Sequence, residues 1–148
     1  MTMMNSIINS ETEFALRTLL TLYMCDESRS LDDIVMLDFI TSYAADFGIG
    51  ESNLHGTNEN KESEYSARRV RTQEAISFLV TYGLVDVEED TVGFRYRIND
   101  EGTALCDQMT TPFAADYMVA AVKADEYMRH HSFNDVLNRI NRRARIIF

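Results

Sequence analysis

Tryptophan is missing from this chain, proline occurs once and cysteine twice. A single proline rules out a collagen-like or proline-rich linker protein. Two cysteines far apart, Cys25 and Cys106, rule out a disulfide scaffold and read as reduced thiols inside helices. Basic residues are also in short supply, with 14 Lys and Arg against 24 Asp and Glu, a formal net charge of -10 and a pI near 4.6. Coating nucleic acid by bulk charge is thereby excluded, because counterion release needs many clustered cations. No run approaches the roughly 18 apolar residues of a membrane span. The N-terminal "MTMMNSIINS" lacks a basic region ahead of a long apolar one, so a cytoplasmic protein with no membrane partner is expected.

Catalytic groups are sparse as well. Gly48 and Gly50 lack the Lys-Ser/Thr that completes a phosphate loop. His55 stands alone, and His130 and His131 are adjacent rather than one helical turn apart, so they do not share a helix face for gripping zinc. Asp32, Asp33 and Asp38 form a carboxylate cluster on paper, but the first two are explained as helix-start and surface acids. With no combination of nucleophile, base and stabiliser, the chain is expected not to be an enzyme and to need no cofactor or metal.

What is present is an ordinary globular composition over 148 residues, 45% hydrophobic and 26% charged, enough for one domain with its own core. Ser10 and Glu13 form a capping box before the helix "TEFALRTLLTLYM". Ser30 and Asp33 repeat the signal before a second helix, "LDDIVMLDFITSYAADFG", ending at Gly48. From Ile49 to Tyr65 the chain lacks periodicity and reads as a long loop. A third helix, "SARRVRTQEAISFLVTY", places Ala75, Phe78, Leu79 and Tyr82 on one face, and Gly83 stops it. The period then drops to two: Val85 and Val87 alternate with acids, and Phe94, Tyr96 and Ile98 with Arg95 and Arg97, making a hairpin around "EEDTVG". Asn99 caps a fourth helix, and Pro112 separates it from a fifth. That fifth helix carries Phe113, Tyr117, Ala120, Ala124 and Tyr127 as a packing seam. The seam's partner, this chain or another, stays open.

Ser132 and Asp135 begin a last helix bearing Arg139, Arg142, Arg143 and Arg145. It could hold nucleic acid, dock on a partner through Val136, Leu137, Ile140 and the final apolar residues, or pack on the protein's own body. The chain divides into residues 1–129, the main domain, and 130–148, a basic C-terminal helix docked on that domain or on a partner.

Three helices, a hairpin and a further helix, with "FLVTYGLV" entering and "FRYRINDEG" leaving the hairpin, resemble the winged-helix pattern. The fold class expected is therefore mostly α with a β-hairpin wing, a winged-helix-like domain with additional C-terminal helices. In a DNA reader of that shape, Arg68, Arg69 and Arg71 at the start of helix three would enter the major groove, and Arg95 and Arg97 would add phosphate contacts. The wing tip opposes this with Glu88, Glu89 and Asp90. Equally, the arginines read as a solvated helix start.

Several segments together resemble the middle components of bacterial ABC-three-component systems. They are "NSETEFALRTLLTLY", "LDDIVMLDFITSYAADFG" with its Leu37-Asp38-Phe39 core, "ESNLHG", "RRVRTQEAISFLVTYGLVDV", "FRYRINDEGTAL" and "TPFAADYMVAAVKADEYM". The likeness covers about Asn9 to Met128. Where that family tends to carry prolines after the Leu-His pair of the loop, this chain has Gly56, Thr57 and an acidic insertion through Glu64. The resemblance implies a non-catalytic winged-helix subunit of a Lamassu-type anti-phage or anti-plasmid defence complex, whose partners are an SMC-like ATPase and an effector nuclease, with DNA met only weakly or indirectly. Glu88, Glu89 and Asp90, with Tyr117 and Tyr127, are then the candidate partner contacts. Arg68, Arg69, Arg71, Arg95, Arg97, Arg139, Arg142, Arg143 and Arg145 are candidates for either DNA or partner. The alternative is an autonomous winged-helix transcription regulator that binds operator DNA as a homodimer.

Overall fold

The computed structural model describes residues 11–25, 27–44, 47–50 and 61–138. In chain order these form α1 (Glu13–Tyr23), α2 (Leu31–Ser42), α3 (Lys61–Thr81), β1 (Val85–Glu89), β2 (Phe94–Ile98), α4 (Asp100–Asp107), α5 (Pro112–Arg129) and a short helical segment, α6, at 133–138. The architecture is mostly α with a two-stranded antiparallel hairpin, the winged-helix-like class expected.

Helix starts follow their local chemistry. Ser30 Oγ accepts the Asp33 N–H at the start of α2, Asn99 the Gly102 N–H at α4, Thr111 the Ala114 N–H at α5 with Pro112 in the first turn, and Ser132 the Asp135 N–H at α6. The first helix differs: Thr12 is already helical (φ -69°, ψ -39°) with no side-chain cap, a π-turn at residues 11–12 leads into α1, and Ser10 lies outside the described residues. Gly83 (φ +74°) ends α3 as expected, with the Leu84 N–H reaching Leu79 O and the Gly83 N–H reaching Val80 O, the paired bonds of a Schellman cap.

Four further expectations are corrected. Regular α2 stops at Ser42, short of Gly48 (φ +72°), and the Ile49 N–H reaches Ala44 O. The expected loop does not extend to Tyr65, because α3 begins at Lys61; residues 51–60, His55 among them, lie outside the described residues. Cys25 sits beyond the end of α1, half-buried, whereas Cys106 is buried within α4. On α3 the buried face is Arg68, Thr72, Ala75, Ile76 and Leu79, while Phe78 and Tyr82 are 46% and 67% exposed. Their rings tilt against each other, centroids 4.4 Å apart, on the flank of the helix. Periodicity alone allowed either stripe; packing against α1 and α2 selects one.

Two apolar clusters share α2, which buries every residue from Ile34 to Ser42 and so behaves as an all-round core helix. The first joins Phe14, Leu19 and Leu20 of α1, Ile34, Leu79 of α3, Val85, Cys106 and Tyr117. The second joins Met36, Leu37, Phe39 and Ile40 of α2 to Phe47, Ala124 and Val136. The α5 seam therefore finds its partner inside the chain, at Tyr117 and Ala124, both 0% exposed; Phe113 stays 37% exposed. The described start of the basic tail also packs inward, through Val136.

The hairpin register is Val85↔Ile98, Asp86↔Arg97, Val87↔Tyr96, Glu88↔Arg95 and Glu89↔Phe94. The segment between α1 and α2, which reads as a polar turn in sequence, supplies a third partner: Arg29 and Tyr96 exchange N–H···O bonds of 2.9 and 2.8 Å, so β2 is paired at Tyr96 on its other edge as well. Gly102 lets α4 leave the wing closely, since a Cβ there would lie 2.3 Å from Leu84 O.

Candidate functional site

At the centre of the helices lies a polar knot. Asp38 accepts from Arg17 Nε (3.2 Å), Arg17 Nη2 (2.9 Å), Arg68 Nη1 (2.6 Å) and the Tyr117 hydroxyl (2.5 Å). Arg68 also donates to Ser42 Oγ (2.9 Å), and the Tyr117 hydroxyl lies 2.9 Å from Thr21 Oγ1. Four helices thus meet through one carboxylate that is 2% exposed. Burial alone would raise the Asp38 pKa, but the Arg17 and Arg68 charges and the hydrogen bonds prevail and hold it well below the usual carboxylate range. Burial, followed by the Asp38 charge, pushes Tyr117 well up, so it serves as a neutral donor. The cluster is a buried, mutually hydrogen-bonded network of the kind that fixes how helices pack.

This knot relocates two of the residues expected at the surface. Arg68, 4% exposed, is turned into the core, away from any groove-reading position, and Tyr117, 0% exposed, faces Asp38. Their polar ends were drawn inward by a buried partner that spacing alone does not reveal. Asp38 and Arg17, with no site role in the sequence reading, are the residues most committed to the structure. The available signal was a charge set among apolar neighbours: Asp38 between Leu37 and Phe39, and Arg17 between Leu16 and the run to Leu22.

The other arginines scatter. Arg69 pairs with Asp32 (2.9 Å) on the surface. Arg71 lies over the Phe14 ring, 4.7 Å from its centroid. Arg95 donates to Ser28 Oγ (3.0 Å) and Ser28 O (2.6 Å), clamping the wing root to the segment before α2. Arg97 is exposed and opposite Asp86 in the ladder. Arg139, Arg142, Arg143 and Arg145 lie outside the described residues. The sequence reading also missed Arg29, which pairs with Asp125 at 2.7 Å and ties the sheet to α5.

At the wing tip, Asp90 shapes the turn. Its carboxylate accepts the Val92 and Gly93 N–H groups at 2.8 and 3.0 Å, and these bonds lower its pKa. Glu88 and Glu89 are exposed beside it. Tyr127 is half-buried, edge-on to Phe47 (5.7 Å) and stacked on His131 (4.0 Å). A groove of about 250 Å³ runs between the start of α1 and α3, with Phe14, Ala15, Ala75 and Phe78 as its apolar lining and Glu11, Arg71 and Glu74 as its charges. Among the described residues no group of three or more His, Cys, Asp or Glu could hold a metal ion, and no helix is long and apolar enough to cross a membrane.

The exposed residues of α3 and the wing thus combine arginines engaged by neighbours, carboxylates and apolar side chains. A family model described as ABC-three component (ABC-3C) system Middle Component 2 matches residues 7–147. No curated protein and no solved structure matches the chain.

Proposed function

The chain belongs to the Middle Component 2 family of ABC-three component systems, and from that premise we propose that it is a non-catalytic subunit joining an SMC-like ATPase to an effector nuclease in a Lamassu-type anti-phage or anti-plasmid defence complex. In this role it restrains the nuclease and couples it to DNA sensing by the ATPase. It works in the cytoplasm.

The observation that carries this reading beyond membership is the fate of the helix-three arginines. A groove-reading helix needs cations free to leave for phosphate. Here Arg68 is enclosed with Asp38, Arg69 is paired with Asp32, and Arg71 covers Phe14. Glu88 and Glu89 at the tip repel a phosphate backbone and suit a basic protein surface. DNA contact through Arg69, Arg71 and Arg97, which are exposed, is weak and secondary to assembly.

Co-expression with the other two components of its system, followed by affinity capture and size-exclusion chromatography, tests the proposal. A stoichiometric complex in 0.15 M salt is the expected result. Recovery of a lone homodimer with tight, sequence-specific affinity for duplex DNA would replace the proposal with the operator-binding regulator.

A further inference from the structure

The ladder register separates the two faces of the wing. Asp86 and Glu88 share one face with Arg97 and Arg95, while Val87, Glu89, Phe94 and Tyr96 share the other. Near the root that second face is used: Val85 is buried in the first core, and Tyr96 packs against it. Toward the tip nothing among the described residues covers it. Val87 is 44% exposed, Phe94 59%, and Val92, in the turn itself, 94%.

Folding does not require apolar side chains there. The tip is built by the backbone and Asp90: the Asp90 N–H bonds to Gly93 O (3.0 Å), its carboxylate takes two turn amides, and Gly93 holds φ +147°. The root is held separately by the Arg29–Tyr96 bridge and the Arg95–Ser28 clamp. Exposed apolar groups on a pre-shaped hairpin are a solvation cost that recognition explains. Charge then selects the occupant. Glu88 and Glu89 have no ion pair among the described residues, and Arg95, opposite Glu88, is engaged by Ser28. Three carboxylates around the apolar tip repel nucleic acid and anionic membranes alike. A second copy, at net charge -10, is likewise opposed.

We propose that the wing tip is a docking knob in which Val87, Val92 and Phe94 enter an apolar cleft on another component of the system, with Lys or Arg side chains at the rim of that cleft meeting Glu88 and Glu89. This rests on the reading of the chain as a subunit and adds where it is gripped and by what chemistry. The apolar residues set how long the complex lasts, and the acids set how fast it forms.

The test uses the full chain and each of the other two components, purified, with binding kinetics followed at several salt concentrations. Val92→Ser with Phe94→Ser is expected to speed dissociation from one component by about tenfold or more. Glu88→Lys with Glu89→Lys is expected to slow association and flatten its salt dependence. Asp116→Lys, an exposed acid on α5, controls for bulk charge and should change neither rate. Because the wing residues concerned are exposed, unchanged melting curves and circular dichroism should accompany all three variants. If the wild-type chain binds a component and both wing variants bind it equally well, the knob is overturned while the subunit reading stands. If the wild-type chain binds neither component, the subunit reading falls and takes the knob with it. Self-association, duplex binding or vesicle binding that the wing variants abolish would assign the tip to another occupant and overturn the proposal.

Discussion

Asp38 shows how one residue governs four helices. Its carboxylate receives two guanidinium groups and a phenol inside the core, so removing its charge takes from buried Arg17 and Arg68 the carboxylate they share. Asp38→Asn is expected to cost about 3–5 kcal/mol in urea denaturation, the usual penalty for breaking a buried pair from one side. Replacing Asp38, Arg17 and Arg68 together by apolar residues of similar size should cost far less, which separates pairing from packing. The pH dependence follows from the lowered folded pKa. Unfolded Asp titrates near roughly pH 4, so the stability Asp38 lends is complete above that value and is lost as pH falls from there toward the much lower folded value. Denaturation midpoints at pH 7, 5 and 3 should differ mainly in the last step, and Asp38→Asn should flatten it. Cys106 gives a second prediction. Burial pushes its thiol up to about 12, so at pH 8 its thiolate fraction is on the order of one in ten thousand. Alkylation of the native protein at that pH should label half-buried Cys25 well before Cys106, and unfolding should remove the difference.

Among the elements, the wing is an attachment whose root is built and whose tip is free. Gly102 marks the crowded junction where α4 leaves β2. A Cβ there would meet Leu84 O at 2.3 Å and Ile98 Cγ1 at 2.7 Å, and a backbone carbonyl yields little. Gly102→Ala is therefore expected to destabilise the fold by about 1–3 kcal/mol, as overpacking does, with the largest amide shifts in β1, β2 and α4 by NMR. Alternation in the sequence made the hairpin legible, together with the sharing of one face by Arg95 and Arg97. It did not reveal that Arg29 would bridge to Tyr96 of β2, because a single bridge leaves no period to detect.

For the whole molecule, the two apolar clusters share α2, so the chain should unfold as one unit. A single denaturation transition is expected, with Val136→Ala lowering its midpoint by an amount corresponding to roughly 1–3 kcal/mol. Two separate transitions would show that the segment after Arg129 stands apart from the main body. The expected basic C-terminal helix has its described start, 133–138, packed into the second cluster, while its four arginines lie outside the described residues.

By itself the sequence determined the class of fold, most helix starts, the hairpin and the likeness to a middle component, because caps, period changes and segment order are local or linear properties. The acidic balance likewise set the sign of the protein's field. Tertiary structure alone decided which face each helix buries and which charges are spent. Arg68 and Arg71 lie on one helical turn, yet Arg68 meets Asp38 in the core and Arg71 stays at the surface over Phe14. The difference comes from α1, α2 and α5 converging on one carboxylate, a meeting of residues far apart in the chain that no spacing within a single helix encodes.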